Sequence, residues 1–105
     1  MIQDVSRSLA VVQQQIAELD ELTNQTLENL NTVAGSERVA KWKLKTVALL
    51  KDIVGREEGE KFAGTLPGPS FTNDLVEEFT DLVDCYRTPL VALAKRLAQV
   101  SRPGS

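Results

Sequence analysis

The feature that most constrains the fold is an apolar spacing near the start of the chain. Apolar side chains recur there at steps of four, three, four and three residues: Val5, Leu9, Val12, Ile16 and Leu19. Such steps keep side chains on one side of an α-helix, and a stripe this narrow is typical of a coiled-coil contact. These five residues, the Val5–Leu19 seam, therefore predict a long amphipathic helix and pose the question of what covers it.

Helical periodicity continues beyond the seam. It predicts a first helix over 2–33, with Gly35 taking the left-handed conformation that ends a helix and Ser36 capping the next one. The second helix is predicted over 37–54, with Gly55 as its stop. No segment alternates with a period of two for long enough to form a strand, so the pattern indicates an all-α protein.

Two further helices are predicted in the second half of the chain. A short linking helix over 57–63 is followed by a loop rich in proline and glycine. The last long helix is predicted over 73–100, with Thr72 or Asn73 as its cap and with a kink or a split at Pro89, which lacks a backbone donor. We therefore expect an antiparallel bundle of three long helices in up-down-up order, plus the short linking helix.

Size and charge limit the function classes. The 105 residues suit one domain, predicted over 1–100, followed by a linker-like tail over 101–105 that suggests the N-terminal piece of a longer protein. A net charge of −3 argues against nucleic acid or an anionic membrane as the main partner, because both attract an excess of lysine and arginine. The single cysteine excludes an internal disulfide framework and fits a reducing cytoplasm.

The residues that usually carry catalysis are scarce. The chain has no histidine, which removes the commonest general base and the usual metal ligand. Cys85 stands next to Asp84, whose negative charge disfavours the reactive thiolate. Acidic and basic stripes occur on the predicted helices, and we interpret them as solvated or mutually paired faces. We therefore predict a non-enzymatic protein with no cofactor, no metal site and no catalytic residue; a metal- or phosphate-handling role is the least favoured hypothesis.

The Val5–Leu19 seam is the main candidate site, and it has three possible uses. It can pack within the chain's own core, against a second copy in a homodimer, or against another helical protein. We predict a protein–protein interaction or oligomerisation domain with this seam as its interface. The alternative is a small ligand-sensing bundle with a pocket near Trp42, Tyr86 and Pro89.

One stretch resembles a known class of module. Over 39–62, a Trp-Lys pair, a Leu-Leu pair, an Ile-x-Gly step and a later Phe occur in order: Trp42-Lys43, Leu49-Leu50, Ile53-Val54-Gly55 and Phe62. This order resembles helical modules of prokaryotic conflict and defence proteins, which often precede effector or nucleotide-binding domains. The resemblance implies an adaptor or assembly role in a larger cytoplasmic protein, and it implies no active site.

Overall fold

The computed structural model of the protein describes residues 5–68 and 73–101. These residues form helices and no strand, so the all-α prediction is confirmed. In chain order the elements are α1 (Val5–Asn29), α2 (Thr32–Leu49), a π-helical segment (Leu50–Val54) that continues α2, α3 (Arg56–Ala63) and α4 (Leu75–Ser101). The predicted helix start at Ile2, the cap at Thr72 and residues 102–105 of the predicted tail lie outside the described residues, whereas Ser101, the first residue of that tail, ends α4.

The first helix ends earlier than predicted. Leu30 adopts a left-handed conformation, with φ of 58°, and donates its N–H to the Thr26 carbonyl at 2.7 Å. The Asn31 side chain then accepts a hydrogen bond from the Ala34 N–H at 3.1 Å, which is the usual capping contact for the start of a helix. The turn between α1 and α2 is therefore made by a leucine and an asparagine.

The predicted roles of Gly35 and Ser36 are accordingly wrong, because both residues lie inside α2. Gly35 is buried, and a β-carbon added to it would overlap the Thr26 side chain of α1. The glycine is needed here for the close approach of two helices, and its conformational freedom to end a helix is not used.

Gly55 ends the second helical run as predicted. Its N–H donates to the Leu50 carbonyl at 2.8 Å, a step of five residues that makes the last turn π-helical. At this end of the bundle, the Ser8 hydroxyl of α1 donates to the Ile53 carbonyl at 3.2 Å. With the Thr26–Gly35 contact at the opposite end, this bond shows that α1 and α2 are antiparallel.

Helices α2 and α4 run in the same direction. The start of α2 lies beside the start of α4, Trp42 contacts Tyr86 further along, and Leu50 lies near Leu90. Helix α3 returns from the end of α2 to Trp42, and Pro67 and Gly68 lie beside the starts of α2 and α4. Helix α1 is therefore antiparallel to both α2 and α4. Because α2 and α4 are parallel, the three long helices do not follow the up-down-up order expected from short connections.

Helix α4 passes through Pro89 without interruption, so the predicted split is not observed, while the predicted kink at Pro89 stays a prediction. Its first turn is capped by Asp74, whose carboxylate accepts the N–H groups of Val76 and Glu77 at 2.9 and 3.3 Å. The predicted cap at Asn73 is therefore wrong by one residue. No helix in the described part of the chain is both long and apolar enough to cross a membrane.

Candidate interaction groove

The Val5–Leu19 seam faces the interior of the bundle. Val12 and Leu19 are completely buried, and the other three residues are half-buried and pack against the core: Val5, Leu9 and Ile16. Helix α1 makes its most extensive contact with α4 and its next with α2. This placement favours the first of the three uses of the seam, and a surface for a partner must be sought elsewhere.

A buried polar contact fixes α1 against α2. The Gln15 side chain is almost fully buried, and its Oε1 accepts a hydrogen bond from the Thr46 hydroxyl at 2.9 Å. The Gln15 carbonyl accepts another from the Trp42 indole N–H, also at 2.9 Å. Separating α1 from α2 would leave these groups unpaired unless water reached them, at roughly 1–3 kcal/mol for each group that stays buried.

Two ion pairs at the edge of this contact join α1 to its neighbours. The Lys45 ammonium lies 2.7 Å from the Glu18 carboxylate, and its hydrogen bond lowers the pKa of Glu18 while partial burial opposes the shift. Arg87 of α4 lies 2.9 Å from Asp20, and that hydrogen bond raises the pKa of the guanidinium. The expected pairing of basic α2 with acidic α1 is confirmed at the first of these pairs.

The aromatic residues form the centre of the core. Trp42 lies 5.9 Å from Phe62 and 6.4 Å from Tyr86, between ring centroids, and the Lys43 ammonium lies 4.7 Å from the centre of the Tyr86 ring. Burial, with a smaller contribution from Cys85, raises the pKa of the Tyr86 hydroxyl. The predicted pocket is not assembled here, since Pro89 borders a small depression of about 280 Å³ that Trp42 and Tyr86 do not line.

An open groove lies further along the same two helices. Helix α3 ends at Ala63, so it covers the contact line between α2 and α4 only as far as Phe62. Beyond that point the two helices enclose a groove of about 630 Å³, which we call the α2–α4 groove. Its described lining is Thr32, Val33, Ser36, Glu37, Pro67, Gly68, Leu75, Glu78, Phe79, Asp81, Leu82 and Cys85.

The groove has apolar walls and an acidic border. Phe79 is buried at its base, whereas Val33 and Leu75 are 71% and 64% exposed. Carboxylates occur on both sides, with Glu37 on α2 and with Glu78 and Asp81 on α4. None of the described lining residues is basic. Large apolar side chains that remain this exposed and share one concave surface are typical of an interaction site.

Two more exposed leucines lie at this end of the bundle. Leu66 is 72% exposed and precedes Pro67, which lines the groove; Leu30 is 66% exposed and sits in the turn before α2. The left-handed conformation of Leu30 is unfavourable for a residue with a side chain. The open end of the bundle thus combines exposed apolar surface with local backbone strain.

Sequence reasoning did not identify this groove. The sequence places Val33 at the end of the predicted first helix, whereas the structure places it on the exposed side of α2. Leu75 fits the apolar stripe of α4, and a stripe does not reveal which part of it a neighbour covers. The available signal was the length of the helices, since a linking helix of two turns cannot cover two long ones.

No group of three or more potential metal ligands occurs among residues 5–68 and 73–101. Cys85 is a free thiol, half-buried at the groove. Comparisons of the chain with protein-family models, curated proteins and solved structures give no match.

Proposed function

We propose that this chain is a non-catalytic protein–protein interaction domain that binds an apolar helical segment in the α2–α4 groove. The observation that carries the proposal is the exposure of Val33 and Leu75 on facing walls of one concave surface. Each side chain would leave water if a partner occupied the groove, and burial of apolar area is the main driving force for such binding.

The covered half of the same contact line indicates why the occupant is a helix. There α3 lies across α2 and α4 and inserts Phe62 against Trp42 and Tyr86. The groove continues the path of α3 beyond its last residue. A helix that lays one apolar side into such a groove is a recurrent mode of peptide recognition.

The border of the groove suits a segment with basic residues beside its apolar side. Glu37, Glu78 and Asp81 would repel an acidic segment and attract a basic one, which affects partner choice and association rate more than affinity.

The alternative, a small-ligand sensor near Trp42, Tyr86 and Pro89, has less support because the first two side chains are packed within the core. The more specific idea of an adaptor module in a cytoplasmic defence protein is part of the proposal. It rests on the resemblance over 39–62 and, for the compartment, on the single cysteine.

Site-specific photo-crosslinking in cells that produce the protein tests the proposal. A photoreactive amino acid replaces Leu75 in one variant and Val100 in a matched control, which is similarly exposed at 68% but lies outside the groove lining. We expect a discrete protein adduct from position 75 and none from position 100. The adduct should disappear when Val33→Asp is added, because a carboxylate on the opposite wall disfavours an apolar occupant.

The readout requires that the variants remain folded, which circular dichroism and Trp42 fluorescence can establish. Equal adducts from both positions, or an adduct that Val33→Asp leaves unchanged, would contradict the groove as the binding surface. A folded protein that gives no adduct from position 75 would contradict the function itself.

A further inference from the structure

We infer that the helix bound in the α2–α4 groove is α2 of a second copy of this chain, in an antiparallel, two-fold symmetric dimer. The inference rests on the proposed function and names its partner.

The exposed side of α2 carries both residues that line the groove and the apolar residue that would enter the groove of the other copy. Val33, Glu37, Ala40 and Leu44 follow one another at steps of four, three and four residues, so they lie along one side of the helix. All four residues are exposed. The first two line the groove, and Leu44, at 74%, has the largest exposed fraction among the large apolar residues described.

This order creates a self-complementary surface. Val33 and Leu44 are separated by three turns, about 16 Å along the helix axis. When a second α2 lies antiparallel with its midpoint opposite the midpoint of this interval, Leu44 of each copy meets the groove of the other. A surface that supplies both the groove and the side chain that fills it generates a closed, isologous dimer, the commonest symmetric assembly.

Charge supports the same pairing. Lys41 lies one turn before Leu44 and is exposed on α2. In the antiparallel arrangement it comes level with Ser36 and Glu37 of the other copy, near the acidic border that Glu78 contributes. Ala40, on the same side of the helix, leaves room for the close approach that such a contact needs.

The direction of the second helix also agrees with the fold. Helices α2 and α4 are parallel, and α1 already packs against this pair in the opposite direction. An antiparallel α2 from another copy would meet the two groove walls in that same relative direction.

Analytical ultracentrifugation and light scattering over micromolar to millimolar concentrations test the inference. The wild-type mass should rise from 11.5 kDa to a plateau at twice that value. Leu44→Asp and Val33→Asp should each weaken the dimer at least tenfold, while Val100→Asp leaves it unchanged. Since the substituted side chains are all exposed, circular dichroism should show the same fold in each variant.

A charge exchange provides the sharper arm. Lys41→Glu alone and Glu37→Lys alone should weaken the dimer, and the double variant Lys41→Glu/Glu37→Lys should recover much of the loss, because each copy then presents the opposite pair. If the double variant loses as much dimer stability as the two single variants added together, the antiparallel register is wrong.

A chain that remains monomeric over the whole range, or that grows beyond a dimer, would overturn the inference. A heterologous adduct from position 75 in the crosslinking experiment would then leave the proposed function intact. If that experiment also fails, the function fails with the dimer.

Discussion

The two halves of the contact line between α2 and α4 have similar chemistry and opposite exposure. In the half that α3 covers, Phe62 is buried against Trp42 and Tyr86. In the other half, Val33 and Leu75 remain open to solvent above Phe79. The difference comes from where α3 ends, because the apolar stripe of α4 continues through both halves and α2 adds Val33 to the open one.

This comparison separates residues that hold the domain together from residues that are available to a partner. On α4, apolar periodicity places Leu75 and Tyr86 in the same stripe, although Leu75 is exposed and Tyr86 is buried. Only the position of a third element decides which of them contributes to folding and which to binding.

The largest expected effect tests the covered half. Phe62→Ala should lower the free energy of unfolding by about 3–5 kcal/mol, because it removes a buried ring and leaves a cavity. Val33→Ala in the open half should change it by no more than about 0.5 kcal/mol. Denaturant unfolding followed by the fluorescence of Trp42 measures both, and similar losses from the two variants would break the comparison.

The second prediction concerns the back of the open half, where α1 supports α2. Gly35→Ala should lower the free energy of unfolding by about 1–3 kcal/mol, since the new methyl group overlaps Thr26 and forces the helices apart. Adding Thr26→Ala should recover part of this loss.

The measurement is a double-mutant cycle by chemical denaturation. Additive effects of Gly35→Ala and Thr26→Ala would show that the helix contact tolerates the methyl group, contrary to the close approach described.

The third prediction has the opposite sign. Leu30→Gly should raise the free energy of unfolding by roughly 0.5–1 kcal/mol, the cost of a left-handed L-residue less the extra chain entropy of glycine. Leu30→Ala is the matched control, because it removes the exposed side chain and keeps the strain. Thermal unfolding in which alanine stabilises as much as glycine would argue against strain at this turn.

The smallest effect depends on pH. Burial raises the pKa of Tyr86 above its ordinary value of 10.0, so the native state keeps a proton that the unfolded chain loses. Stability should therefore be complete below that pH and decline as pH rises through the folded pKa. Tyr86→Phe should lack this decline.

Absorbance titration of the phenol checks the fourth prediction directly, because Tyr86 is the only tyrosine of the chain. The native protein should ionise at higher pH than the protein in denaturant. Coincident titration curves would show that the hydroxyl contacts solvent, contrary to the burial of Tyr86 in the half that α3 covers.

Much of the fold could be predicted from local signals. Gly55 ends the second helical run, and the short helix before the proline-rich loop begins and ends within one residue of its predicted bounds. The first turn was mispredicted because Gly35 resembles a helix terminator, while the actual break uses Leu30 and the capping Asn31. A left-handed leucine has no sequence signature, whereas the cap at Asn31 was readable.

The binding site was harder to predict for a physical reason. The Val5–Leu19 seam has the spacing of a coiled-coil surface, yet α4 and α2 cover it, and Gln15 makes buried hydrogen bonds beside it. Spacing specifies which side of a helix avoids water and leaves open which neighbour provides shelter. Self-association through the Val5–Leu19 seam stays a prediction, and the dimer proposed above uses a different surface, on α2.

Helix α1 contributes none of the described residues that line the groove, and it packs against both helices that form the walls. It contacts α2 at Thr26 and Gly35 and holds α4 through the Asp20–Arg87 pair. The spacing between the two walls is consequently set from behind. A substitution that shifts α1 along its axis would change the separation of α2 and α4 and with it the width of the groove. Residues of α1 that lie outside the groove can therefore alter partner binding.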